Sequence, residues 1–296
     1  MTLLHRAARS AVLASLALLL SVYASVAAPF DDCKSHLPFG VPTLARNVAT
    51  TPICHVGYAV LHDDKLLVPR WVAYRLTGPH TLGCIKRGDN FHADENLPEG
   101  QRATPADYAK SGFDQGHQAP AQDFAWNADR MSDSFSMANM APQLPGLNRA
   151  QWERIEETVR AWATDRGELI IYVGPVIANT SHTIGKDKVV VPTAFWKVVV
   201  DPDKKEALAF VLPNRSIKKG KLDPWQSDIA DVEQAAGVKL PLPAGIDRET
   251  KPTIWAVDLA AWAKKHKAAC PAGKSTGKAK KPAKKKKKPA KKKKTK

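Results

Sequence analysis

Two apolar runs joined by a short turn constrain the fold more than any other feature of the chain. Val189 to Val200 ends in Trp196-Lys197-Val198-Val199-Val200, and Leu208 to Leu212 follows after Asp201-Pro202-Asp203. β-Branched and apolar runs of this length, bounded by Asp and Pro, read as an antiparallel hairpin. Glu168 to Val176 reads as a further strand, and Cys54 to Val60 with Leu66 to Tyr74 as a second pair about Asp63-Asp64. Arg149 to Thr164 carries Ile155, Val159 and Trp162 at helical spacing, with Asn148 able to cap it and Gly167 beyond its end. Ile229 to Ala236 is a shorter helix stopped by Gly237, and Trp255 to His266 a last one. Arg87 to Asp107, with Pro98, Gly100 and Pro105, reads as loop. Strands and helices do not alternate regularly, so the fold class is α+β and not a doubly wound sheet.

Charge is distributed unevenly. The chain has 296 residues, 44% of them hydrophobic, enough for a real core. Its net charge of +16 is almost all at the ends: fourteen lysines and no acid lie between Lys274 and Lys296, and Arg6 and Arg9 lie near the start. The body between them is close to neutral, so the basic balance belongs to a tail and says little about the fold. A segment so poor in apolar side chains cannot repay its ordering entropy, and residues 273–296 are expected to be disordered. Its lysines suit polyanions, nucleic acid first and anionic cell-envelope polymers or lipids second.

At the other end, Arg6 and Arg9 precede the apolar run Ala11 to Leu20 and the small residues Ala24 to Ala28. That order is a secretory signal, with cleavage expected after Ala27. The run is shorter than the ~20 residues of a bilayer span, so no membrane span is expected in the mature protein. The expected location is secreted or periplasmic. Cys33, Cys54, Cys84 and Cys270 remain after the signal. An even count in an exported chain favours two disulfides, with three connectivities open. Whatever its partner, Cys270 would pin the end of the folded body.

The chemistry concentrates in Phe113-Asp114-Gln115-Gly116-His117-Gln118-Ala119-Pro120 and in Asn139-Met140-Ala141-Pro142-Gln143, followed by Asn148, Trp152 and Glu156. His117 has an imidazole suited to proton transfer near neutral pH, Asp114 stands where it could orient the ring, and Gly116 leaves room for a bulky anion. At roughly 100° per residue, Asn148 and Glu156 lie about 80° apart around a helix, so both can address one site. An amide oxygen and a carboxylate are hard ligands that suit hydrated Mg²⁺. Taken singly, each residue has a plainer reading: a structural histidine, an N-cap, a solvated acid.

In order, these motifs resemble the DNA/RNA non-specific endonucleases, the family of endonuclease G and the secreted bacterial nucleases. The resemblance rests on Asp114-Gln115-Gly116-His117, Ala138-Asn139-Met140-Ala141-Pro142-Gln143, Asn148 and Trp152, and continues through Tyr172 to Val176, Val191 to Lys197 and Phe210 to Asn214. Upstream, Arg87, Phe91 and Asp94 resemble the family's Arg-to-Phe segment. It implies the ββα-metal (His-Me finger) fold, with a mostly antiparallel central sheet flanked by helices, over residues 28–272. It further implies a metal-dependent hydrolase that cuts DNA and RNA to 5′-phosphate products. By the same resemblance His117 is the general base, Asn148 the direct ligand of Mg²⁺ (Mn²⁺ being an alternative), and Glu156 a metal-cluster and catalytic group. Asn139 is a catalytic support, and Arg87 a catalytic and phosphate-binding cation. Gln115 departs from the pattern: the family has Arg there, so one substrate-facing charge is missing. The rival reading is a non-catalytic nucleic-acid or envelope-polyanion binder that uses the lysine tail.

Overall fold

A computed structural model describes residues 29–270. The expected signal segment and lysine tail lie outside the described residues.

The centre is a seven-stranded sheet. In chain order its strands are β1 (Thr50–Cys54), β2 (Ala59–Asp63) and β3 (Val68–Thr77), then β6 (Glu168–Val176), β7 (Ala194–Asp201), β8 (Glu206–Pro213) and β9 (Gln226–Ser227). The spatial order is β9-β8-β7-β6-β3-β2-β1, and every pairing is antiparallel. Between β3 and β6 the chain leaves the sheet to build a small hairpin, β4 (Asp114–His117) with β5 (Met140–Gln143). It returns through helix α1 (Glu153–Arg166). Two strands and a helix packed in this order make the ββα unit. α2 (Ile229–Ala236) and α3 (Leu259–Ala269) follow.

Alternation along β7 explains both cores. Phe195 and Val199 face a cluster with Trp152, Val159 and Trp162 beneath α1. Trp196, Val198 and Val200 face the opposite cluster with Trp71, Tyr172, Ile229 and Val232 beneath α2. Each fully buried large apolar side chain contributes about 1.5–3 kcal/mol, so both faces must be covered.

Three expected elements are redrawn. Val189 to Val200 is broken at Pro192, which has no N–H for a ladder; only Val189–Val190 and Ala194–Asp201 pair. Cys54 to Val60 is the end of β1, a tight turn closed by His55 N–H to the Tyr58 carbonyl at 2.9 Å, and the start of β2. The last helix begins at Leu259, with Trp255 instead packed against Trp162 at 5.3 Å between ring centroids. The cysteines pair Cys33–Cys54 and Cys84–Cys270, and the second bridge does pin the end of the described chain.

Candidate active site

The β4–β5 hairpin sets one wall of a cleft of about 460 Å³, lined among others by Arg87, Asp114, Gln115, His117, Asn148 and Glu156. Register places His117 opposite Met140 and Gly116 opposite Ala141. A Cβ at position 116 would lie 2.5 Å from Gln143 Oε1 and 2.9 Å from the Ala141 carbonyl. The glycine therefore makes room for the neighbouring strand and not for an anion. The His117 ring is boxed edge-on by Phe91 and Phe135, at 5.5 and 5.1 Å between centroids. It hydrogen-bonds the Gln115 backbone, and Nε2 has no protein partner. Nδ1 is thus the donor, and neutral Nε2 is left as a buried, unpartnered acceptor on a residue that lines the cleft. Burial, then the Arg87 guanidinium, push the imidazole down to about 3, against the hydrogen bond to Gln115. A neutral ring with a bare nitrogen is the state a general base needs.

Asp114 does not orient that ring. An odd separation along a strand does not share a face, and its carboxylate instead accepts from Asn148 Nδ2 at 2.9 Å and from Arg149 Nε at 2.8 Å and Nη2 at 2.5 Å. Nor is Asn148 the N-cap of the long helix, whose capping position is Trp152. Asn148 has αR backbone angles and opens a π-type turn, Asn148–Trp152, that runs into α1. Asp114 holds the amide nitrogen of Asn148, which fixes the amide's direction and leaves its oxygen without a protein hydrogen bond among the described residues.

The floor is made of charges. The Glu156 carboxylate lines the cleft and, among the described residues, accepts no hydrogen bond and forms no ion pair. Burial pushes it up to about 7, opposed by Lys197 and Arg160. Arg160, one helical turn further along α1, donates to Asp123 Oδ1 at 2.9 Å, and Tyr74 donates to Asp123 Oδ2 at 2.9 Å. Lys197 rises from β7 beneath them, fully buried, its Nζ unpaired and 4.9 Å from the centre of the Trp152 ring. A desolvated cation–π contact is worth about 2 kcal/mol, less than the several kcal/mol that burying an ammonium costs. Burial accordingly lowers the Lys197 pKa, and Glu156 works against that.

The chain matches the DNA/RNA non-specific endonuclease family over residues 38–245. The chain belongs to that family. This endonuclease is 34% identical to nuclease C1 of Cunninghamella echinulata var. echinulata over 70% of its own length and 87% of that protein's. It is 29% identical to bovine mitochondrial endonuclease G, over 68% and 70%. A chain of the EndoG/EndoGI complex crystal structure superposes with a TM-score of 0.64 at 27% identity, covering 73% of this chain and 93% of the other.

Not every expected group of the endonuclease reaches the cleft. Asn139 is fully buried behind the hairpin, where Nδ2 donates to the carbonyls of Ala119 and Ser134 at 2.8 and 2.9 Å and Oδ1 accepts from Ala119 N–H at 2.9 Å. With its amide spent on backbone, it buttresses the segment after His117 and does not line the cleft. Asp94 lies outside the cleft too, holding His55 at 2.8 Å and Ser136 at 2.6 Å. Arg87 does line the cleft, its guanidinium 5.0 Å from the Phe135 ring centre. Arg149, Arg160 and Lys197 were missed by sequence reasoning. Arg160 stands four residues after Glu156 and so shares its helix face. Lys197 shares parity with the core residues Phe195 and Val199, which marks a buried cation.

The donor set fits a hydrated divalent cation. Asn148 offers an amide oxygen and Glu156 a carboxylate, both hard and both free of protein partners. Among the described residues, no group of three or more His, Cys, Asp or Glu side chains is arranged to hold a metal ion.

Proposed function

We propose that the chain is a secreted or periplasmic, metal-assisted endonuclease that hydrolyses phosphodiester bonds of DNA and RNA, leaving 5′-phosphates. The observation that carries this reading is the bare Nε2 of a neutral His117 in the same cleft as the unpaired oxygens of Asn148 and Glu156. His117 takes a proton from the attacking water and Nδ1–H stays on the Gln115 carbonyl. Asn148, aimed by Asp114, and Glu156 would hold Mg²⁺ or Mn²⁺, which when bound supplies charge stabilisation at the phosphate and leaving oxygen. Arg87 grips the phosphate. Contacts of these kinds go to the backbone and not to base edges, which suits both DNA and RNA. No described helix is long and apolar enough to cross a membrane.

Plasmid nicking tests the reading. The full chain should nick with Mg²⁺ and stop with EDTA, and His117→Ala should be inactive in both. Retardation of plasmid without nicking would replace the enzyme with a binder. The lysine tail is proposed to tether the enzyme to nucleic acid or to anionic envelope polymers, and deleting residues 274–296 should weaken binding and flatten its salt dependence.

A further inference from the structure

The family match ends at residue 245, yet the chain goes on to build α3. None of the eleven residues of α3 is buried. A helix this short is marginal in water by itself, so the contacts that hold it matter. They lie on one face. Trp262 sits under the Arg160 guanidinium at 5.7 Å, His266 bonds the Gly83 carbonyl at 3.3 Å, and Cys270 is bridged to Cys84. Residues 262, 266 and 270 are spaced i, i+4, i+8, which is a single stripe. Gly83 is itself locked down, since a Cβ there would lie 2.2 Å from the Ala125–Trp126 backbone.

The docked stripe turns Lys264, Lys265 and Lys267 away from the body. All three are exposed, and none takes part in an ion pair among the described residues. The bridge also limits how far they can lie from the cleft. Cys84 and Cys270 are 5.3 Å apart at Cα, and three residues from Cys84 to Arg87 span at most about 11 Å. Arg160 connects the two regions directly, lining the cleft and capping Trp262.

The cleft itself is short of free positive charge. Arg149 is neutralised by Asp114 and Arg160 by Asp123. Gln115 is neutral. Of the cleft arginines, Arg87 alone has no carboxylate partner among the described residues, its guanidinium donating to the Gly88 carbonyl at 3.2 Å. One free guanidinium is a thin hold on a polyanion whose affinity grows with each phosphate neutralised.

We propose that α3 is a stapled phosphate-binding arm: Lys264, Lys265 and Lys267, joined to the Arg87 segment by the Cys84–Cys270 bridge, bind the backbone of the nucleic acid that enters the cleft. The arm rests on the endonuclease reading for its substrate, but its test does not need cleavage. Binding of labelled duplex DNA to the full chain is followed in EDTA as salt is raised. If each lysine neutralises one phosphate, Lys264→Gln/Lys265→Gln/Lys267→Gln lowers the log–log salt slope by about 3. Between about 50 and about 200 mM salt, the wild type then loses roughly 40-fold more affinity than the variant. The matching triple Arg variant keeps the wild-type slope, because charge and not lysine shape is at work. In Mg²⁺, the Gln variant raises KM and keeps kcat, and the penalty shrinks as the duplex is shortened. An unchanged slope in the Gln variant, or an equal loss in the Arg variant, overturns the arm. Cys84→Ser/Cys270→Ser, with its fold checked by cleavage of the shortest duplex, should shift the slope the same way by less; a wild-type slope there removes the staple from the proposal. If the wild type binds with the expected slope but never nicks, the endonuclease reading fails and the arm stands.

Discussion

The cleft floor and the α3 arm solve opposite problems with the same side chains. In the floor, Arg160 and Lys197 are taken out of water between α1 and β7 and Glu156 is half-buried above them, and none of the three has a full set of partners. On α3, Lys264, Lys265 and Lys267 stay in water and are positioned by a covalent bridge to Cys84. Buried charges are costly and hold direction and protonation state; exposed ones cost little and contribute attraction that salt screens. The contrast teaches that chemistry and grip are built by separate means, the first by packing and the second by tethering.

The largest expected effect breaks the floor. His117→Ala should lower kcat by about 100- to 10,000-fold, the range for a lost general base, with KM for duplex DNA nearly unchanged in the same titration. Next come the bridges. Chain entropy makes the Cys84–Cys270 closure worth up to about 5 kcal/mol and the shorter Cys33–Cys54 loop about 3, so the serine pair at 84 and 270 should unfold at lower denaturant than the pair at 33 and 54. The reverse order would mean that α3 is not held as described.

The pH dependence sharpens the comparison. Glu156 is raised from 4.5 to about 7, so the native state favours its protonated form. Its stabilising contribution is full below pH 4.5 and is lost as pH rises through about 7. In EDTA, Glu156→Gln should therefore melt higher than wild type at pH 8, by about 2–4 °C per kcal/mol relieved, and no higher at pH 4, while cleavage in Mg²⁺ falls sharply. His117 has the opposite sign: lowered from 6.5 to about 3, it stabilises above pH 6.5 and loses that as pH falls toward 3. The smallest effect concerns Gln115. Gln115→Arg should lower KM for DNA a few-fold, since a charge-assisted bond is about twice a neutral one; an unchanged KM would count against the missing charge as a limit on substrate hold.

Local patterns were legible where the backbone alone decides. The Asp201-Pro202-Asp203 turn, the strand from Glu168 to Val176 and the helix from Ile229 to Ala236 with Gly237 in the left-handed region all stand where periodicity and turn chemistry place them. Motif order was enough to bring His117, Asn148, Glu156 and Arg87 together. Boundaries failed where a single residue overrode a run, as at Pro192 and in the turn after Cys54.

What the chain alone determined is the inventory: an antiparallel α+β body, an imidazole, an amide and a carboxylate in a fixed order, four cysteines and a basic end. Only the tertiary structure decided who faces whom. It turned Asp114 to Asn148 and Arg149, spent the Asn139 amide on backbone, buried Lys197 under Trp152 and bridged Cys84 to Cys270 across 186 residues. Spacing along a chain sets the face a side chain takes on its own element, but its partner is set by elements distant in sequence.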